Sequence, residues 1–195
     1  MVSKTRDKFI EVARQLFARK GVENTTMNEI ASASDKGRRT IYTYFKSKRD
    51  IFNAVIEQET EQVFSKLRFI VSLPRPPEEK LHEYIDVRLE SMKEIVSRNG
   101  SLRAGFFRDV RKVDRARKIM WKKEVGLLRA ILNEGVETGV FKIENTDKAA
   151  AIITQIIQGL DVPYIRDNLS ESGIDKTHLK QYLSEMLLYG IVRDE

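Results

Sequence analysis

The sequence predicts an all-α protein of about nine helices, with short helices gathered at the N-terminus and a larger helical body behind them. Three observations lead there. Apolar residues recur three and four apart along almost the whole chain, no stretch alternates in the manner of a strand, and the breakers fall at intervals that suit helices.

Phe9, Ile10, Ala13, Leu16 and Phe17 form the first apolar stripe, with Gly21 as its stop. Thr26-Met27-Asn28-Glu29 reads as a capping box opening a short helix that carries Met27, Ile30 and Ala31. Ser34-Asp35-Lys36-Gly37 reads as a turn, and a second short helix is expected over Arg38 to Tyr44. Ser47, with Asp50 three residues on, can cap a longer helix carrying Ile51, Phe52, Val55, Ile56, Val63, Leu67 and Ile70. Pro74-Arg75-Pro76-Pro77 must end it. Leu81, Tyr84, Ile85, Leu89, Met92, Ile95 and Val96 form the next stripe, halted at Asn99-Gly100. A short helix is expected through Leu102, Phe106, Phe107 and Val110. Another carries Met120, Val125, Leu128, Leu132 and Val136 up to Gly139. Thr146 and Asp175 are the expected caps of the last two, which hold Ile152 to Leu160 and Leu179, Tyr182, Leu183, Met186 and Leu187.

Charge divides the chain more sharply than hydropathy does. The 195 residues carry a net charge of +6; residues 1–50 hold 12 basic and 6 acidic groups, and the rest holds 23 of each. A basic segment joined to a neutral body is the electrostatic footprint of a nucleic-acid-binding head. With no cysteine, disulfides, zinc ribbons and thiol catalysis are excluded. Lys4, Arg6, Asp7 and Lys8 precede the first apolar pair and no apolar run follows, so neither a signal peptide nor a membrane span is expected, and the reading is cytoplasmic.

Two short helices across a tight turn make residues 1–50 a helix-turn-helix candidate, with residues 51–195 as a separate domain. On the second short helix, Arg38 and Arg39 can reach guanine edges bidentately or clamp phosphates. Thr40, Tyr42, Thr43 and Tyr44 offer hydroxyls and apolar surface to bases and backbone. Ile41 and Phe45, four apart, are expected to face inward. Lys46 and Lys48 suit phosphates, and Ser47 directs free N–H groups of the next helix the same way.

The segment from Phe9 to Phe52 resembles the N-terminal domain of the TetR family of transcriptional regulators. Ala13, Leu16-Phe17, Gly21, Thr25-Thr26, Ile30-Ala31 and the run Thr40-Ile41-Tyr42-Thr43-Tyr44-Phe45-Lys46-Ser47-Lys48 carry the resemblance without a gap. One departure stands out. Ser34-Asp35-Lys36-Gly37-Arg38-Arg39 replaces the Ala-Gly-Val-Ser-x-Gly of many members, and Arg39 in place of glycine is expected to alter operator preference. The resemblance implies that Thr26, Tyr44 and Lys48 touch phosphates while Arg38, Arg39, Thr40 and Tyr42 face the major groove. It implies a repressor on a pseudo-palindromic double-stranded operator, with the helix from about Ser47 to Val71 leading into a ligand-binding body. It also implies a homodimer built on the last two helices, roughly Thr146–Ile165 and Asp175–Ile191, and release by a small-molecule effector.

Candidate effector-lining residues are Arg88, Met92, Arg103, Phe106, Phe107, Met120, Trp121 and Tyr164, with Arg111 as a further polar anchor; the arginines suggest an amphipathic or anionic ligand. No catalytic residue, cofactor or metal is expected. His82 and Asp86 share a helical face without a third ligand, and His178 has no evident partner. The competing readings are a DNA-binding protein without an effector and a helical interaction module with a basic head.

Overall fold

The computed structural model describes residues 2–98, 110–166, 169–170 and 173–191. The described residues form eight helices and no strand: α1 Val2–Lys20, α2 Met27–Ala33, α3 Arg38–Tyr44, α4 Lys48–Ser72, α5 Pro77–Arg98, α6 Val110–Glu137, α7 Thr146–Arg166 and α8 Lys176–Ile191. The short helix expected through Leu102, Phe106 and Phe107 falls on residues outside the described ones. Helix α6 begins already at Val110, earlier than the stripe opening at Met120 suggested.

The helix ends follow local chemistry. Gly21 closes α1 at φ +92, its N–H bonded to Phe17 O at 3.0 Å. Ser47 Oγ accepts from Asp50 N–H at 3.2 Å and caps α4. Pro77 occupies the first position of α5, where a missing N–H costs nothing. At α7 the cap is Asn145, whose Oδ1 accepts from Lys148 N–H at 2.9 Å; the expected Thr146 is the first helical residue instead. Asp175 caps α8 through the N–H groups of Thr177 and His178, both at 2.9 Å. Its other oxygen meets His178 Nδ1 at 2.6 Å, so His178 does have a partner: the cap of its own helix.

The chain resolves into two compact units. One comprises Met1–Glu61 and Ile95–Arg117, the other Gln62–Glu94 and Lys118–Glu195. The core of the first is Phe9, Ile10, Ala13, Phe17, Met27, Ile30, Ile41, Phe45, Ile51 and Val55. Glu59 is buried in it and paired with Arg14 at 3.8 Å and with Arg98. The second is built on Phe64, Leu67, Leu81, Tyr84, Ile85, Leu89, Leu128, Leu132, Ile153 and Ile157.

The turn after α6 rests on a close approach. Gly139 takes φ +76, the backbone returns, and Phe141 N–H bonds to Gly135 O at 2.9 Å. The Phe141 ring then lies flat on Gly135, and a Cβ there would stand 2.6 Å from Phe141 Cγ and closer still to the ring edge. Gly135→Ala therefore has to unseat a buried ring. We expect a loss of about 1–3 kcal/mol despite alanine's better helix propensity, read as a lowered melting temperature.

Candidate DNA-binding interface

Helix α2 packs against α1 and α3, and its start is fixed by the capping box that Thr26 and Glu29 spell out. Thr26 Oγ1 accepts from Glu29 N–H at 3.2 Å and donates to Glu29 Oε2 at 2.9 Å, while Thr26 N–H donates to the same carboxylate at 2.8 Å. The carboxylate is further paired with Lys20 of α1. A phosphate contact from the Thr26 hydroxyl thus requires its proton to leave Glu29.

Between α2 and α3 the chain must reverse within four residues. Ser34 is buried and turns its hydroxyl onto Ile30 O at 2.7 Å. Asp35 adopts φ +55, the left-handed conformation that short polar side chains tolerate. Its carboxylate meets Lys8 Nζ of α1 at 2.9 Å. Sequence reading identified the turn but not this pairing, which joins residues 27 apart.

Helix α3 is divided cleanly by burial. Ile41 and the following Phe45 are buried, as their spacing predicted, and Phe9 packs its ring 5.8 Å from that of Tyr44. Arg38, Arg39, Tyr42 and Thr43 are exposed, whereas Thr40 and Tyr44 are half-buried. The Arg38 guanidinium lies 5.8 Å over the Tyr42 ring, and Thr43 donates to Thr40 O at 2.6 Å. Arg6, from α1, covers the Phe45 ring at 5.4 Å. Lys46 is exposed, while Lys48 is half-buried with its Nζ donating to Glu23 O at 3.0 Å. Lys48 therefore braces the loop before α2 while keeping two further donors.

Residues 9–55 match the family described as bacterial regulatory proteins, tetR family. A probable acrEF/envCD operon repressor of Escherichia coli K12 is 33% identical over 93 residues, 47% of this chain and 42% of that one. The chain thus spans under half the length of that relative. A transcriptional regulator from Cytophaga hutchinsonii has the same fold over 95% of this chain and 97% of its own, with a TM-score of 0.74 and 26% identity. Residues 9–55 are thus similar to the N-terminal segment of TetR-family regulators. FadR of Bacillus subtilis, solved with stearoyl-CoA, shares the fold at a TM-score of 0.68 and 21% identity, over 94% of this chain and 98% of its own. In TetR-family terms, Asp35 stands where many members have glycine, and its left-handed backbone shows what that position demands.

The effector candidates scatter. Met92, Met120 and Tyr164 are buried, Trp121 is half-buried, and Arg103, Phe106 and Phe107 lie outside the described residues, as does the side chain of Arg111. Tyr164 donates to Glu90. Arg88 is the surprise: it is 1% exposed and held by Glu124 of α6 and Asp161 of α7. Burial alone would lower its pKa, yet the two carboxylates together hold it above its ordinary value. An arginine so neutralised is no anchor for an anion. Glu124 and Asp161 were missed at the sequence level, although both sit on apolar stripes, Glu124 between Met120 and Leu128 and Asp161 between Ile157 and Tyr164. Among the described residues no cluster of three metal-ligating groups occurs, and no helix is long and apolar enough to cross a membrane.

The capping box makes a pH prediction. Lys20 first, then the Thr26 backbone and hydroxyl, draw the Glu29 carboxyl down from 4.5 to about 2. A depressed carboxylate contributes stability above its unfolded pKa and loses it as pH falls through the folded one. The difference in stability between the native chain and Glu29→Gln should therefore be present at neutral pH and vanish between pH 4.5 and 2. A difference that persisted at pH 2 in denaturant titrations would rule out the box as its source.

Proposed function

We propose that this chain is a TetR-family transcriptional repressor of the cytoplasm, binding a pseudo-palindromic operator as a homodimer and released by a small-molecule effector. Residues 1–50 read the DNA, and residues 51–195 dimerise and take the effector. The observation that carries the reading is α3 itself. Arg38, Arg39, Tyr42 and Thr43 share an exposed surface on a seven-residue helix whose opposite face is fully buried. Such a helix presents guanidinium forks and hydroxyls at the width of a major groove. Half-buried Thr40 adjoins that groove-facing surface, Tyr44, Lys46 and Lys48 flank it as backbone contacts, and Thr26 joins them if it exchanges Glu29 for phosphate.

Dimerisation is supported by apolar side chains the protomer leaves in water. Ile152 and Ile156 on α7 are 61% and 39% exposed; Tyr182, Met186 and Tyr189 on α8 are 53%, 74% and 83% exposed. The α8 residues follow at intervals of four and three, one helical stripe. Leu183, by contrast, is buried within its own protomer. Leu183→Glu should therefore unfold the chain, whereas Met186→Glu combined with Ile152→Glu should leave folded monomers by light scattering. An unchanged dimer mass would place the interface elsewhere. The effector reading is supported by FadR of the same fold, whose structure was solved with a bound acyl-CoA.

Titration of labelled operator by fluorescence anisotropy tests the DNA surface. Arg39→Ala and Tyr42→Ala should each cost about 1–3 kcal/mol on the operator and little on random duplex. Lys48→Ala should weaken every duplex alike and reduce the salt slope by about one. Wild-type affinity in both α3 variants would remove α3 from the interface.

A further inference from the structure

Helices α5, α6 and α7 bring four polar side chains together inside the second unit. Arg88 of α5 donates to Asp161 as a fork, Nη1 to Oδ1 at 2.9 Å and Nη2 to Oδ2 at 3.2 Å, and its Nε donates to Glu124 Oε1. Gln158 Nε2 donates to the other Glu124 oxygen at 2.8 Å. Arg88 and Glu124 are 1% and 3% exposed, and Asp161 12%. Among the described residues two carboxylates thus face one guanidinium, one negative charge more than it neutralises, in a site nearly closed to water. Ion pairing for stability does not call for the second acid, because every buried charge beyond neutrality carries its own desolvation cost.

A second observation points the same way. Tyr84, one turn before Arg88 on α5, is fully buried, and its hydroxyl has no hydrogen-bond partner among the described residues. It lies within the field of both Glu124 and Arg88, and burial foremost, then Glu124, pushes its pKa upward. A neutral phenol oxygen in the field of a carboxylate can accept an N–H. The group that suits both features carries positive charge and N–H bonds: a protonated primary or secondary amine.

We propose that this cluster is the recognition site for an ammonium group of the effector, with Glu124 and Asp161 supplying the charge and Tyr84 Oη accepting one N–H. The proposal rests on the effector reading above and names the class of ligand within it. Asp161 and the half-buried Gln158 mark the side from which the cluster meets solvent, and the Gln158 amide is the neutral donor an ammonium would displace from Glu124. Of the arginines from which an amphipathic or anionic ligand was expected, Arg88 is thereby removed as an anion anchor, because both carboxylates already engage it.

The test is calorimetric titration of the full chain with four phenylalkyl probes that differ in head group: 2-phenylethylammonium, its N-trimethylated form, 2-phenylethanol and 3-phenylpropionate. The primary ammonium should bind about tenfold more tightly than the alcohol or the carboxylate, the ratio expected of one charge-assisted hydrogen bond. The trimethylated form should fall between them, since it keeps the charge and lacks the donor. Tyr84→Phe should remove the advantage of the primary amine over the trimethylated one while the melting temperature holds or rises, because an unpartnered hydroxyl is deleted. Glu124→Gln should bring the ammonium to the level of the alcohol. Equal binding of ammonium and alcohol, or an advantage of the primary over the trimethylated ammonium that survives Tyr84→Phe, overturns the proposal; the latter variant decides even if Glu124→Gln fails to fold. Operator anisotropy on the same samples separates the two readings. Ammonium binding that leaves operator affinity unchanged would sink effector release alone, and release by the carboxylate without ammonium binding would sink the ammonium site alone.

Discussion

Seven residues are too few for a helix to hold itself in water, where isolated helices need about 12–15 to be even marginal. Both α2 and α3 have that length, so everything their outer faces present depends on what they bury against α1 and each other. Ile30 and Ile41 are completely buried, and Phe45 nearly so. Thr25 and Ser34 are buried too, and each turns its hydroxyl back onto a carbonyl four residues earlier, so neither leaves a polar group unmet. With the inward face this constrained, the outward one is free. Arg39 can stand where the resemblance expects glycine, because its position on α3 is exposed.

That division explains what the sequence disclosed. Spacing identified Ile41 and Phe45 as buried, because a 3.6-residue period is a local property. The capping box at Thr26 and Glu29 was equally legible, since both partners lie within one turn. Pairings between distant residues carry no such signal. Lys8 with Asp35, and Lys48 with the Glu23 carbonyl, span 27 and 25 residues and appear only once the fold is assembled. Helix α8 shows a subtler failure. Periodicity put Leu183 and Met186 in one apolar set, yet Leu183 is buried in the protomer and Met186 is exposed. A stripe on a sequence says that a face is apolar without saying which protein covers it.

The buried acids were hidden for a different reason. Sequence reading assigns charged residues to water by default, and for most of the 64 charged side chains here that is sound. Arg88, Glu124 and Asp161 break the rule while sitting at core positions of their stripes. Arginine among candidate ligand contacts then suggested an anionic partner, an inference that holds only for a guanidinium whose charge is unspent.

Comparison with the other buried charges sharpens the point. Lys80, 4% exposed, meets a single acid, Glu134, at 2.7 Å, and the pair is neutral. Glu59 faces two arginines, of which Arg14 also pairs with Glu11 at 2.6 Å and Arg98 is 47% exposed. The Arg88 cluster alone combines an unbalanced charge with near-complete burial among these, and it adds a phenol oxygen without a donor. Folding free energy gains nothing from such an arrangement, since a second acid and an unmet hydroxyl both oppose it. A site that costs stability in the empty protein is one whose binding partner recovers that cost, which makes the unliganded state the strained one and gives an ammonium ligand a differential affinity for the state it completes.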